Sequence, residues 1–171
     1  MDNVKIFISH KKEDSSKAVK LEKYIKNKYP NYNVYVDELD NKINDYENVT
    51  DRIVYKLREC NHLLILFSEH TKKSMWVPFE LGISYEREQG IGVLIWTDGE
   101  KLEEKLPEYL DEFPILETEE HIDLYLEQIG SKSQQLFESD SITLGNEHFE
   151  STASAQKSYA KEFINELKSK L

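Results

Sequence analysis

His62-Leu63-Leu64-Ile65-Leu66-Phe67-Ser68, followed after a polar connection by Ser74-Met75-Trp76-Val77-Pro78-Phe79-Glu80-Leu81-Gly82-Ile83-Ser84-Tyr85-Glu86, reads as a strand, a loop and a helix. The first run is the most continuously apolar in the chain, the pattern of a central strand covered on both faces. Pro78 lacks an N–H and suits a first helical turn, so the spacing predicts a helix from about Val77 to about Gln89, with Gly90 as its stop. Glu80 then falls within the first turn, where free N–H groups and the macrodipole favour a carboxylate. Trp76 shares a face with Glu80 if the helix reaches back that far. An aromatic plate beside an ionised carboxylate suits a cationic sugar intermediate. Spacing alone fits a core tryptophan and a solvated first-turn glutamate better, so the surroundings have to decide.

Upstream, Val4-Lys5-Ile6-Phe7-Ile8-Ser9 and Asn33-Val34-Tyr35-Val36-Asp37 read as two short strands. Between them Asp14 or Ser15 caps a helix with Ala18, Leu21 and Ile25 on one face, ended by Pro30. Residues 38–47 form a polar loop, longer than the usual connection, and a helix with Val49, Ile53, Leu57 and Cys60 in register follows. Downstream the pattern predicts a strand over 92–96, a short helix over 101–110 and a strand over 113–117, whose Pro114 suits an edge. A helix from Thr118 through at least Ile129, a polar loop over 139–152 and a closing helix with Tyr159, Phe163, Leu167 and Leu171 complete the chain.

Strands alternating with helices give an α/β fold: a flavodoxin-like, doubly wound, five-stranded parallel sheet of order 2-1-3-4-5, plus a C-terminal helical extension. The expected division is residues 1–138 for the domain and 139–171 for a loop and an amphipathic helix packed on it. In that order strands 1 and 3 are neighbours at the topological switch point, and ligands bind outside their carboxyl ends. Those ends are Ser9-His10-Lys11 and Phe67-Ser68-Glu69, and Glu80 lies on the helix leaving the same edge. Three separate segments converge on one crevice, which lifts Glu80 above the solvated-carboxylate reading.

The totals exclude other classes. At 171 residues the chain is the size of one domain. Its net charge is −11, and residues 98–128 hold twelve acids against two lysines, so most of the surface would repel a nucleic acid. Residues 1–30, with eight lysines against four acids, could still hold one small anion. No window approaches the roughly 18 apolar residues of a membrane span, and the first residues lack signal-peptide architecture, so a cytoplasmic protein with no membrane partner is expected. Cys60 alone excludes an intramolecular disulfide and a cysteine zinc cage, and the five histidines show no ligand spacing, so no metal is expected. The strand ends lack the acids of a phosphorylated receiver, a Gly-rich flavin or Walker loop, a dinucleotide fingerprint and a Gly-x-Ser-x-Gly elbow.

With those tenants excluded, the residues resemble a Toll/interleukin-1 receptor (TIR) domain. Lys5-Ile6-Phe7-Ile8-Ser9-His10 resembles its first box, residues 33–47 its second strand and contact loop, and Ser74-x-Trp76-x-x-x-Glu80-Leu81 the Trp-x-x-x-Glu motif of catalytic members. Val77-Pro78 stands where family members carry a small residue or cysteine after the tryptophan. The resemblance implies cleavage of NAD+, as substrate and not cofactor, at the nicotinamide–ribose bond. The format is similar to the NAD-consuming component of anti-phage Thoeris systems, whose ADP-ribose-type product activates a downstream effector. It further implies Glu80 as the catalytic carboxylate, Trp76 as a stacking wall and Phe7 beneath the ribose. Ser9, His10 and Lys11 would bind ribose or phosphate, and Asp37 and Ser68 would line the crevice. Homo-oligomers through contacts of residues 38–47 are expected. Two other readings stay open: a non-catalytic scaffold that signals by TIR–TIR assembly, and an enzyme like nucleoside 2-deoxyribosyltransferases, also doubly wound and using a glutamate.

Overall fold

The computed structural model describes residues 4–36, 49–97, 105–140 and 150–171. At its centre lies β3 (His62–Phe67), buried at every position, with β1 (Lys5–Ser9) on one side and β4 (Gly90–Ile95) on the other. β2 (Asn33–Val36) pairs beyond β1 and β5 (Ile115–Leu116) beyond β4, all parallel, in the order 2-1-3-4-5. The sheet is the expected one. β5 is an edge strand of two residues, and Pro114, which cannot donate, still accepts from the Val93 N–H at 2.9 Å.

Alternation along the strands assigns the two faces. Ile6, Ile8, Leu64 and Leu66 point into one core layer, shared with Ala18, Leu21 and Ile25 of α1 (Ser15–Lys28). The same layer takes Tyr125, Leu126 and Ile129 of α4 (Glu119–Asp140), and Phe163 and Leu167 of α5 (Glu150–Lys170). Phe7, Leu63, Ile65 and Phe67 point the other way, against Val49, Ile53 and Leu57 of α2 (Val49–Glu59) and Val77 and Leu81 of α3 (Trp76–Glu86). No helix among the described residues is long and apolar enough to cross a membrane.

Three local expectations are corrected. No α-helix occupies 105–110; only a 3-10 turn, Glu108–Leu110, forms there, behind an extended Pro107 that disfavours helix in the residue before it. α3 stops at Glu86 and not Gln89, because Glu88 takes a left-handed conformation (φ 57°). The Gln89 N–H then reaches the Ser84 carbonyl and the Glu88 N–H the Tyr85 carbonyl, the paired closure usually made with glycine. Gly90 is instead the first residue of β4, where a Cβ would lie 2.4 Å from the His62 ring. β4 thus begins two residues earlier than expected, its glycines making room for His62 and, at Gly92, for the Tyr125 ring.

His62 is wholly buried among the rings of Tyr125, Tyr159 and Phe163, with Nε2 3.3 Å from the Tyr159 hydroxyl. Burial pushes its pKa down from 6.5 to about 3. The folded value lies below the unfolded one, so the unfolded chain binds a proton in this window that the native state refuses. Stability is therefore full above about pH 6.5 and falls as the pH drops towards 3, by up to about 1.4 kcal/mol per unit. Urea midpoints measured from pH 7 to pH 4 should fall steeply for the parent protein and less steeply for His62→Leu.

Candidate functional site

The carboxyl ends of β1 and β3 carry two polar clusters. In the first, Ser9, the last residue of β1, donates its hydroxyl to Glu80 Oε2 on α3. Both side chains are buried, Glu80 at 3% exposure. α3 reaches back to Trp76, so Trp76 and Glu80 are one turn apart, and the expectation that Glu80 lies in the first turn is corrected: the earlier start puts it in the second. The helix starts there because Ser74 Oγ accepts the N–H groups of Trp76 (3.2 Å) and Val77 (3.4 Å), while Pro78 has none to satisfy. Val77-Pro78 therefore leaves the turn that carries Glu80 intact. Trp76 is 39% exposed and meets Phe79 edge to face at 5.7 Å. α3 buries its carboxylate beside Val77 and Leu81, while Trp76 and Phe79, with Met75 just before the helix, are exposed.

Of the second cluster only Ser68 was expected at the crevice; its partners Asp14, Lys17 and His70 were not. Asp14 occupies the cap position of α1 but makes no cap bond; the expectation that its side chain caps the helix is corrected. Its carboxylate turns inward and is fully buried. It accepts from Ser68 Oγ at 2.5 Å, pairs with Lys17 at 3.0 Å and faces His70 Nδ1 at 3.3 Å. Burial by itself would raise the Asp14 carboxyl, but the bonds from Ser68, Lys17 and His70 outweigh it and hold it below the usual carboxylate value. Ser68 is further engaged, accepting the His70 N–H at 3.1 Å, while its own N–H goes to Thr71 Oγ1 at 3.2 Å. A loop after β1 is thereby fastened to a loop after β3. The signal that could have exposed this pairing is topological: an acid five residues past strand 1 and a Ser-x-His past strand 3 meet only at a switch point.

The remaining sequence candidates are spread between these clusters and the core. Phe7 is wholly buried under α2, its ring tilted against Tyr35 at 5.3 Å. His10 is half-buried, with Nδ1 3.4 Å from the Ile8 carbonyl and Nε2 3.3 Å from Ser15 Oγ. Lys11 is half-buried at the entry to the turn, its carbonyl accepting the Asp14 N–H at 2.8 Å. Asp37 and the loop at 38–47 lie outside the described residues. Among the described residues no three His, Cys, Asp or Glu side chains are placed to share a metal ion.

Chemically, the first cluster offers a carboxylate withdrawn from water and fixed by a hydroxyl, beside an accessible indole. Such a group stabilises positive charge that develops on a bound ring more strongly than it would in bulk solvent.

A family model described as the TIR domain matches residues 6–136. A probable 3′ cyclic ADP-D-ribose synthase, ThsB′, of Bacillus cereus (strain MSX-D12) is 34% identical over 93 residues. The match takes in 52% of this chain and 47% of the relative, so the chain spans about half that relative's length. Among solved structures, a 2-deoxyribosyltransferase from Bacillus psychrosaccharolyticus aligns over 58% of this chain and 77% of its own, with a TM-score of 0.46 and 15% identity. That likeness is too loose to carry an argument.

Proposed function

The chain belongs to the TIR domain family, and from that premise we propose that it cleaves NAD+ at the nicotinamide–ribose bond to make an ADP-ribose-type signal. The observation that carries this reading is the buried Ser9–Glu80 pair with Trp76 one turn away at the mouth of the crevice. Nicotinamide leaves as a neutral molecule, taking the electron pair of the glycosidic bond, so no general acid is needed. The anomeric carbon becomes oxocarbenium-like, as in glycoside hydrolysis, and Glu80 stabilises that charge. Ser9 holds the carboxylate in its rotamer, and Trp76 stacks on the departing ring. Capture of the cation by a hydroxyl of the same molecule gives a cyclic ADP-ribose, the product class in the name of the ThsB′ relative. Capture by water gives the linear product.

The same resemblance supports a place in anti-phage defence, with a separate effector reading the product. Assembly through residues 38–47 would complete the site, and the outward Met75, Trp76 and Phe79 support a surface that another protomer covers. Incubation with NAD+ and quantification of released nicotinamide is the test. Turnover per protomer should rise with protein concentration. No turnover at any concentration hands the chain to the scaffold reading.

A further inference from the structure

The segment that joins β3 to α3 is fastened to the strand by one buried hydroxyl. β1 pairs with β3 as far as Ile65, so the Leu66 carbonyl lies beyond the last β1 pair, and it accepts from Thr71 Oγ1 at 3.1 Å. The same oxygen accepts the Ser68 N–H at 3.2 Å, and Thr71 is 1% exposed. Two buried backbone groups at the end of β3 thus share one side chain, and each costs free energy if left unpaired.

From Thr71 the bonds run on to the helix that carries Glu80. Thr71 opens a 3-10 turn (Thr71–Lys73), and its carbonyl accepts the Ser74 N–H at 2.9 Å. Ser74 Oγ holds the Trp76 and Val77 N–H groups, whereas Met75 in the cap position makes no side-chain cap bond. Strand end, turn and helix start are therefore coupled in series. The Thr71 hydroxyl joins the turn to the strand, and the Ser74 hydroxyl joins it to α3. Glu80 has a second tether in the Ser9 bond, while Trp76 sits at the helix end next to the turn.

We infer that Thr71 is a positioning residue: its hydroxyl fixes where α3 begins on the sheet edge, and so holds Trp76 and Glu80 in place against Ser9. Thr71 acts through the turn and not on the reacting atoms. A displacement of about 1 Å in such a constellation can slow a reaction about a hundredfold. The kinetic consequence rests on the NAD+-cleaving reading, whereas the placement of Trp76 does not.

Thr71→Val keeps the branched shape and removes both hydroxyl bonds; Thr71→Ser keeps both. The chain has two tryptophans, so in Trp96→Phe protein the indole emission reports Trp76 alone. In that background acrylamide should quench Trp76 more steeply in Thr71→Val than in the parent, and Thr71→Ser should match the parent. Equal quenching in all three overturns the inference. With NAD+, at a temperature where every variant is folded, Thr71→Val should lower kcat about tenfold or more with KM little changed, and Thr71→Ser should restore it. A hydroxyl that serves the fold alone lowers the melting midpoint and leaves kcat at the parent value, and that result also overturns the inference. Should Thr71→Val not fold, Ser74→Ala cuts the same series at its helix end and is read by the same two measurements, with the same overturning results. If the parent releases no nicotinamide yet Trp76 loosens in Thr71→Val, the positioning stands and the catalytic reading falls.

Discussion

Glu80→Gln is expected to fold and to cleave NAD+ about a hundredfold more slowly or worse, the usual effect of removing one electrostatic stabiliser from a transition state. The substitution keeps the side chain's size, and the amide oxygen can still accept the Ser9 hydroxyl that now reaches Glu80 Oε2. What disappears is the negative charge. Glu80 is the fifth residue of α3, beyond the first turn, so its structural contribution is the Ser9 bond, typically about 0.5–1.5 kcal/mol, which the glutamine amide can largely retain. For a chain of this size each kcal/mol moves the melting midpoint by about 2–4 °C. A structural carboxylate would therefore show a small thermal shift and an unchanged rate, whereas a catalytic one shows a small thermal shift and a collapsed rate. Nicotinamide release at matched protein concentration, alongside a melting curve, separates the two. A folded variant working at the parent rate would falsify the catalytic assignment. Trp76→Ala discriminates poorly by comparison, since it removes stacking and the edge-to-face contact with Phe79 together.

Asp14→Ala should produce the largest loss of stability of any single polar substitution at this edge, on the order of 3–5 kcal/mol at pH 7, because it breaks a buried, multiply bonded ion pair. Ser68, Lys17 and His70 would all lose their common acceptor. Asp14→Asn keeps the volume and one acceptor, and its loss should be smaller. The pH dependence follows from the direction of the shift. Asp14 is held below its ordinary value of 3.8, so its contribution is fully present above that value and is lost as the pH falls through the lower, folded one. Parent and Asp14→Ala urea midpoints should accordingly be far apart at neutral pH and converge in strong acid. A difference under about 1 kcal/mol at pH 7 is the size of an exposed pair and would mean that the cluster does not fasten the two loops.

Much of the architecture was legible because it depends on patterns that repeat over a few residues. Continuous apolar runs at 4–9, 62–67 and 92–96, separated by helix-period segments, leave little choice but a covered parallel sheet. The face of α1 was readable from Ala18, Leu21 and Ile25, and the edge position of β5 from Pro114. Boundaries were less so. Gly90 looked like a helix stop because glycine usually is one, and nothing local announces that His62, 28 residues earlier, needs its missing side chain. Of the helix expected over 101–110, residues 101–104 lie outside the described residues, and over 105–110 it failed for a different reason: Pro107 disfavours helix in the residue before it, and only the turn Glu108–Leu110 follows.

The site divides along the same line. From the sequence alone came the order of the strands, hence the switch point between β1 and β3, and hence the neighbourhood in which Ser9, Ser68 and Glu80 had to meet. Tertiary structure alone decided who bonds to whom there. Ser9 and Glu80 are 71 residues apart, and Asp14 and Ser68 54. An aspartate at a helix start has a good local partner in the backbone N–H groups ahead of it, and local reasoning assigns it that role. It turns inward because Ser68, Lys17 and His70 together offer a buried carboxylate more hydrogen bonding than a solvated cap does, and two of those three donors arrive on another strand's loop. A rotamer is chosen by the groups that surround it in space, and for a polar side chain at a sheet edge those groups come from distant parts of the chain.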